Sequence, residues 1–170
     1  MIDNLSKQAE GKPVEVLWLG DNYQRTVGAK RNALIDLSQG EYFAFVDDDD
    51  IVVEDYVDTI LTGIADSTST VFCFGAYRHH NGRKDREVKY GCEFKQDRNS
   101  VDAYYRLPNH LMCWKKEAIK SIRFEELNYG EDSAWAVKLY NSGLIKKQTR
   151  TKKVLYHYYF NENSTETQQW

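Results

Sequence analysis

Tyr42-Phe43-Ala44-Phe45-Val46-Asp47-Asp48-Asp49-Asp50 decides the reading of this chain. Five nearly continuous apolar residues read as a buried strand of a sheet covered on both faces. Four aspartates follow without a break. Alternation along an extended segment would put Asp47 and Asp49 on one side and Asp48 and Asp50 on the other. Clustered carboxylates repel one another, so they raise some of their own pKa values or recruit a cation. Hard cations such as Mg²⁺ or Mn²⁺ take oxygen ligands and bridge to phosphates. A solvated acidic turn is the plainer alternative, and the apolar strand in front of the aspartates favours a metal site.

Outward from this stretch, Val14 to Leu19 is a strand candidate that ends at the turn cluster Gly20-Asp21-Asn22. A helix is expected over 26–38, with Val27, Ala33, Leu34 and Leu37 inward and Gly40 placed to stop it. On the other side, Tyr56, Val57, Ile60, Leu61 and Ile64 recur at helical spacing, and Val71 to Tyr77 reads as a second buried strand. Strands alternating with helices indicate an α/β fold with a mostly parallel sheet between helix layers. The stretch from His79 to Arg106 is polar and reads as loops with a hairpin. Leu111 to Trp114 is a short strand candidate and Glu117 to Ile122 a short helix. Ser133 to Asn141 is a firmer helix closed by Gly143, and Lys153 to Phe160 a last strand.

The chain has 170 residues and reads as a single domain over 1–170. With 41% hydrophobic and 14% aromatic residues it can bury a core, and a net charge of -3 argues against nucleic acid as a partner. No apolar run reaches the roughly 18 residues that span a bilayer, and Met1 to Lys12 lacks the apolar centre of a signal peptide. The expected location is cytoplasmic, with Cys73, Cys92 and Cys113 as reduced thiols. In that setting the sequons Asn4-Leu5-Ser6 and Asn163-Ser164-Thr165 are chance matches.

Two further groups carry chemistry. Glu131-Asp132 opens the helix before Trp135, where an acid is as readily a cap or dipole partner as a catalyst. Lys30-Arg31-Asn32 lies within the first long helix and can face phosphate, carboxylate or solvent.

In order and separation, these groups resemble the inverting glycosyltransferases of family 2 with the GT-A fold. The matching segments are Gly20-Asp21-Asn22, Arg31-Asn32, Gly40-Glu41-Tyr42, Asp47 to Asp50, Gly130-Glu131-Asp132 and the tail strand Leu155-Tyr156-His157-Tyr158-Tyr159. They cover about Val14 to Ser164. The resemblance implies a three-layer α/β/α sandwich, and Met1 to Gln8 corresponds to the helix after that family's first strand, which is missing here. It also implies sugar transfer, with inversion, from a nucleotide sugar (a UDP-sugar by family frequency) to a hydroxyl of a carbohydrate or other acceptor. Asp49 and Asp47 would hold Mn²⁺ or Mg²⁺, joined by His157 where a late-chain histidine reaches the metal. Asp21, Arg31, Asp47 and Asp48 would meet the donor, Asp132 would be the general base and Glu131 would hold the acceptor. His110 lies in a loop facing the acceptor or serves structure, Trp135 is core, and Trp114 is core or a platform for a sugar ring. The competing functions are a nucleotidyltransferase, whose Gly-rich basic loop is not seen, and a non-catalytic carbohydrate- or cation-binding domain.

Overall fold

The computed structural model describes residues 1–66, 68–95 and 97–160; the Asn163 sequon and the end of the family resemblance lie outside them. The elements in order are α1 (Ile2–Ala9), α2 (Val27–Leu37), β1 (Tyr42–Phe43), β2 (Ile51–Val52), α3 (Tyr56–Ile64), β3 (Val71–His80), β4 (Arg83–Tyr90), β5 (Arg98–Asn99), β6 (Ala103–Arg106), β7 (Cys113–Lys115), α4 (Lys116–Ile119), α5 (Glu131–Ser142) and β8 (Gln148–Phe160).

One sheet runs β1-β7-β3-β4-β6-β5, with β8 beside β3 and β2 beside β8. It is mixed rather than mostly parallel. Only β3–β8 and β4–β6 run parallel; the other described pairs are antiparallel. The cause is local. His80 and Arg83 pair across Asn81-Gly82, whose φ values of 50° and 77° suit the tight turn that joins adjacent antiparallel strands. The polar stretch expected as loops with a hairpin does hold the hairpin, and β5 and β6 form where loops were expected.

Helices cover both faces. Val71 and Phe72 are successive strand residues and point to opposite faces. Phe72 meets α3, where a Cβ on Gly63 would stand 2.2 Å from its ring. Val71 is the ladder partner of Trp114, which packs edge-on against Trp135 of α5 at 5.2 Å. Trp114 and Trp135 are both fully buried, so each is core and Trp114 is not a platform for a sugar. Cys73 and Cys113 are buried free thiols and Cys92 is a partly buried one.

Two expected strands fall short. Val14 to Leu19 forms no ladder, and Trp18 is 69% exposed. An extended segment becomes a strand only when a neighbour takes its backbone hydrogen bonds. This one is tied at Glu15, which accepts from the N–H groups of Gln39 and Gly40 at 2.5 and 2.9 Å. Likewise β1 stops at Phe43 and pairs on one side only, with β7, so Tyr42 to Val46 is half-buried rather than enclosed on both faces.

Candidate functional site

α2 carries the residue that gathers the site. Thr26 caps the helix, accepting from Ala29 N–H at 3.2 Å. Gly28 then lets it approach the 125–127 segment, because its N–H donates to Leu127 O at 3.0 Å and a Cβ would sit 1.8 Å from Glu125 O. Asn32 fixes the same contact by exchanging two hydrogen bonds with the Phe124 backbone at 2.9 and 3.0 Å. This places Arg31 over the rings of Phe45 and Phe124, 5.2 and 5.9 Å from their centroids.

From there the buried guanidinium holds two acids. It donates to Asp47 Oδ1 at 2.9 Å and to Glu131 Oε1 at 3.2 Å. Asp47 Oδ2 lies 3.0 Å from His110 Nε2, and His110 Nδ1 lies 3.6 Å from Asp132 Oδ2. Hydrogen bonds therefore join Glu131, Arg31, Asp47 and His110, and Asp132 stands beside His110, whose buried Nδ1 has no hydrogen-bond partner. Burial works to raise the Asp47 pKa, but His110 and Arg31 outweigh it and hold this acid well below the usual carboxylate range. Glu131 moves the other way, its pKa raised by burial against the pull of Arg31.

The four aspartates do not continue as a strand. Asp50 N–H donates to Asp47 O at 3.2 Å and closes a turn whose tip, Asp48-Asp49, is exposed. Side-chain alternation fails for that reason. Asp50 turns inward, accepting from Tyr156 Oη at 2.6 Å and from Tyr159 N–H at 2.7 Å. The Tyr156 hydroxyl also accepts from Asp47 N–H at 3.0 Å. Both Asp50 oxygens are thereby engaged, and burial pushes its pKa up to about 7.

His157 sits elsewhere. It points to the sheet face opposite Tyr156 and Tyr158, and its Nδ1 lies 3.0 Å from His79 Nε2. Its backbone pairs with Ile51, just after the aspartate turn, while its ring is engaged with His79. Among the described residues no group of three or more His, Cys, Asp or Glu is arranged to hold a metal by itself. An exposed carboxylate such as Asp49 instead suits a hard cation that takes most of its ligands from phosphates and water. Asp21 is the other residue shaped for a ligand. Both its oxygens are buried without a hydrogen-bond partner, and Lys30 at 3.6 Å is too far to supply one. The adjacent Asn22 and Tyr23 hold φ of 53° and 61°, which leaves the Tyr23 ring 88% exposed.

His110 is the site residue whose role the sequence hid, since only the fold sets it between acids more than sixty and twenty positions away.

Comparison with known proteins agrees with this architecture. EpsH of Bacillus subtilis (strain 168), a protein named as a glycosyltransferase, is 25% identical over 143 residues, which cover 78% of this chain and 41% of EpsH. S. aureus TarS 1-349 in complex with UDP-GlcNAc superposes with a TM-score of 0.67 at 19% identity, covering 99% of this chain and 48% of TarS 1-349. The complex of TarS 1-349 with UDP gives 0.59 at 21% identity, covering 81% and 41%. These likenesses establish the GT-A fold, and the chain spans less than half the length of each of these proteins. The model of glycosyl transferase family 2 matches residues 1–123, well over half of the sequence, and the chain belongs to that family.

Proposed function

We propose that this domain transfers a sugar from a UDP-sugar to an acceptor hydroxyl with inversion, using a divalent cation. The observation that carries the reading is the Arg31 clamp, which holds Asp47 and the start of α5 together so that a donor at the aspartate turn lies beside Asp132. Support for a nucleotide comes from Asp21, whose orphaned oxygens suit the imide N–H of a uracil, with the Tyr23 ring offering a stacking face. TarS, of the same fold, binds UDP and UDP-GlcNAc.

In this reading Asp49 would hold Mn²⁺ or Mg²⁺ for the donor. A cation there neutralises charge on the departing nucleoside diphosphate. The chain's own residues do the rest. Asp48 lies at the same turn, within reach of the donor. Asp132 Oδ1 is fixed by the Ser133 N–H at 2.7 Å, which leaves Oδ2 to accept the acceptor's proton as its oxygen attacks the anomeric carbon. A single displacement inverts that carbon. Glu131 is buried against Arg31, so its part is to position the clamp rather than to hold the acceptor.

Calorimetric titration with UDP should show binding that requires Mn²⁺ and is lost in Asp49→Ala, while His157→Ala binds as the parent does. In Asp132→Asn, UDP release from UDP-GlcNAc should fall by about 10²-fold or more with UDP affinity nearly unchanged. Equal UDP affinity with and without Mn²⁺, or normal turnover in Asp132→Asn, would overturn the reading.

A further inference from the structure

Three arginines outside the carboxylate cluster converge on one buried ring. Arg78 of β3, Arg86 of β4 and Arg106 of β6 hold their guanidinium carbons 5.4, 4.1 and 5.2 Å from the Tyr104 centroid. Arg78 donates to the Tyr104 hydroxyl at 2.8 Å, Arg86 donates to the same oxygen, and that hydroxyl donates to Asp85 Oδ2 at 2.8 Å. Asp85 also pairs with Arg78 and Arg86 at 3.5 and 3.1 Å. Arg106 meets Asp97 at 3.2 Å, but that acid is 69% exposed and stands at the rim. Among the described residues the cluster thus sets three guanidinium groups against two carboxylates, Asp85 within it and Asp97 at the rim. Tyr104 itself is buried, whereas the arginine side chains remain 26%, 31% and 27% exposed. Arg86 also donates to Ser100 O at 2.6 Å, and Arg106 to Arg98 O, Tyr105 O and Asn99 Oδ1, so these contacts hold the guanidinium groups in place and only their remaining N–H groups are left for a ligand.

The ladder register relates this cluster to the proposed reaction centre. Tyr156, Ala76, Val88 and Tyr104 are successive partners across β8, β3, β4 and β6, so they share one face. Tyr156 is the residue bonded to Asp47 and Asp50. With strands about 4.8 Å apart, three steps put Tyr104 about 14 Å away. Those four side chains are buried, so the accessible path runs over the next, half-buried row; an extended acceptor spans it, and a diphosphate anchored at Asp49 does not. Tyr158 and Tyr90, the ladder partners of Arg78 and Arg106, line that face.

We propose that Arg78, Arg86 and Arg106 form a subsite for a negatively charged group, phosphate or carboxylate, on an extended acceptor whose reacting hydroxyl lies at Asp132. Guanidinium forks match both anions with paired, charge-assisted hydrogen bonds. The assignment to an acceptor rests on the transfer reading above, but its test needs no turnover.

The full chain, saturated with UDP and Mn²⁺ so that the donor position is filled, is titrated with three probes. These are a glycerol phosphate pentamer, a hyaluronan hexasaccharide carrying carboxylates, and uncharged chitohexaose. At least one anionic probe should bind roughly tenfold or more tightly than chitohexaose, and more weakly as salt is raised from about 50 to about 300 mM. Arg86→Gln/Arg106→Gln should remove most of that preference, and Arg86→Lys/Arg106→Lys should keep part of it. UDP affinity should not change in either variant. If the double glutamine variant fails to fold, Arg106→Gln alone serves, since that side chain lies at the outer strand. Chitohexaose binding as tightly as both anionic probes, or a folded glutamine variant with undiminished anion affinity, would overturn the subsite. Failure of UDP to bind would sink the transfer reading, while the same probes still decide the anion subsite.

Discussion

Asp50 and Asp47 lie three positions apart and are driven in opposite directions by their surroundings. Asp50 is buried, and desolvation pushes its pKa up to about 7 against the hydrogen bonds from Tyr156 and Tyr159. A folded value above the unfolded one, which is about 3.9 for an aspartate, means that the native state binds the proton more tightly. The stability this group contributes is fully present below about pH 4 and is lost as the pH rises through about 7. In urea titrations of the metal-free protein, Asp50 should cost up to about 1.4 kcal/mol per pH unit across that window. Asp50→Asn should flatten the profile, and an unchanged slope in the variant would mean that the carboxyl stays ionised. Asp47 does not blur the measurement. Its folded value is depressed, so its contribution is lost only as the pH falls well below the window.

At the level of elements, α2 shows how close approach can reverse a propensity. Replacing a helical glycine by alanine ordinarily stabilises by about 1 kcal/mol. At Gly28 the added methyl would enter the Glu125 carbonyl, so α2 must move and carry Arg31 with it. Gly28→Ala should therefore destabilise by about 1–3 kcal/mol, as overpacking does, and weaken UDP binding. A higher melting temperature in the variant would show that α2 has room to shift. The helices were legible in the sequence because their period and caps are local, from Thr26 before α2 to Gly143, with φ 68°, after α5. Strands were less so. Val14 to Leu19 is apolar but for Glu15, much like Tyr42 to Val46, and whether either joins a ladder depends on neighbours the segment itself does not encode. β4 is charged at six of its eight positions and lies in the outer half of the sheet with β6, and that polarity disguised it; Asn81-Gly82 was the local sign of the hairpin. Of the site, the acidic run and Gly130-Glu131-Asp132 could be read directly. The inward turn of Asp50 and the bridging position of His110 could not, since each depends on partners from distant segments.

Across the whole molecule, the two halves of the proposed reaction come from opposite ends of the chain and meet through one buried cation. Arg31 joins the turn after β1 to the start of α5, while His110, in the loop before β7, bonds Asp47 and stands 3.6 Å from Asp132 without bonding it. Removing the guanidinium leaves two acids without their partner, so Arg31→Met should cost about 3–5 kcal/mol. Amide hydrogen exchange gives the sharper test. The Asp50 N–H, bonded to Asp47 O, and the Ala134 N–H, bonded to Gly130 O, should lose protection together in Arg31→Met. Loss at one of them alone would show that the two sides open independently. Such a linkage has a consequence for turnover. In the proposed reaction the donor and base sides are held to one another by the Arg31 bonds, which fix their spacing in the folded chain. For the proposed reaction this would leave entry of a donor and exit of the product to the exposed rim, where the Asp48-Asp49 tip and the Tyr23 turn lie.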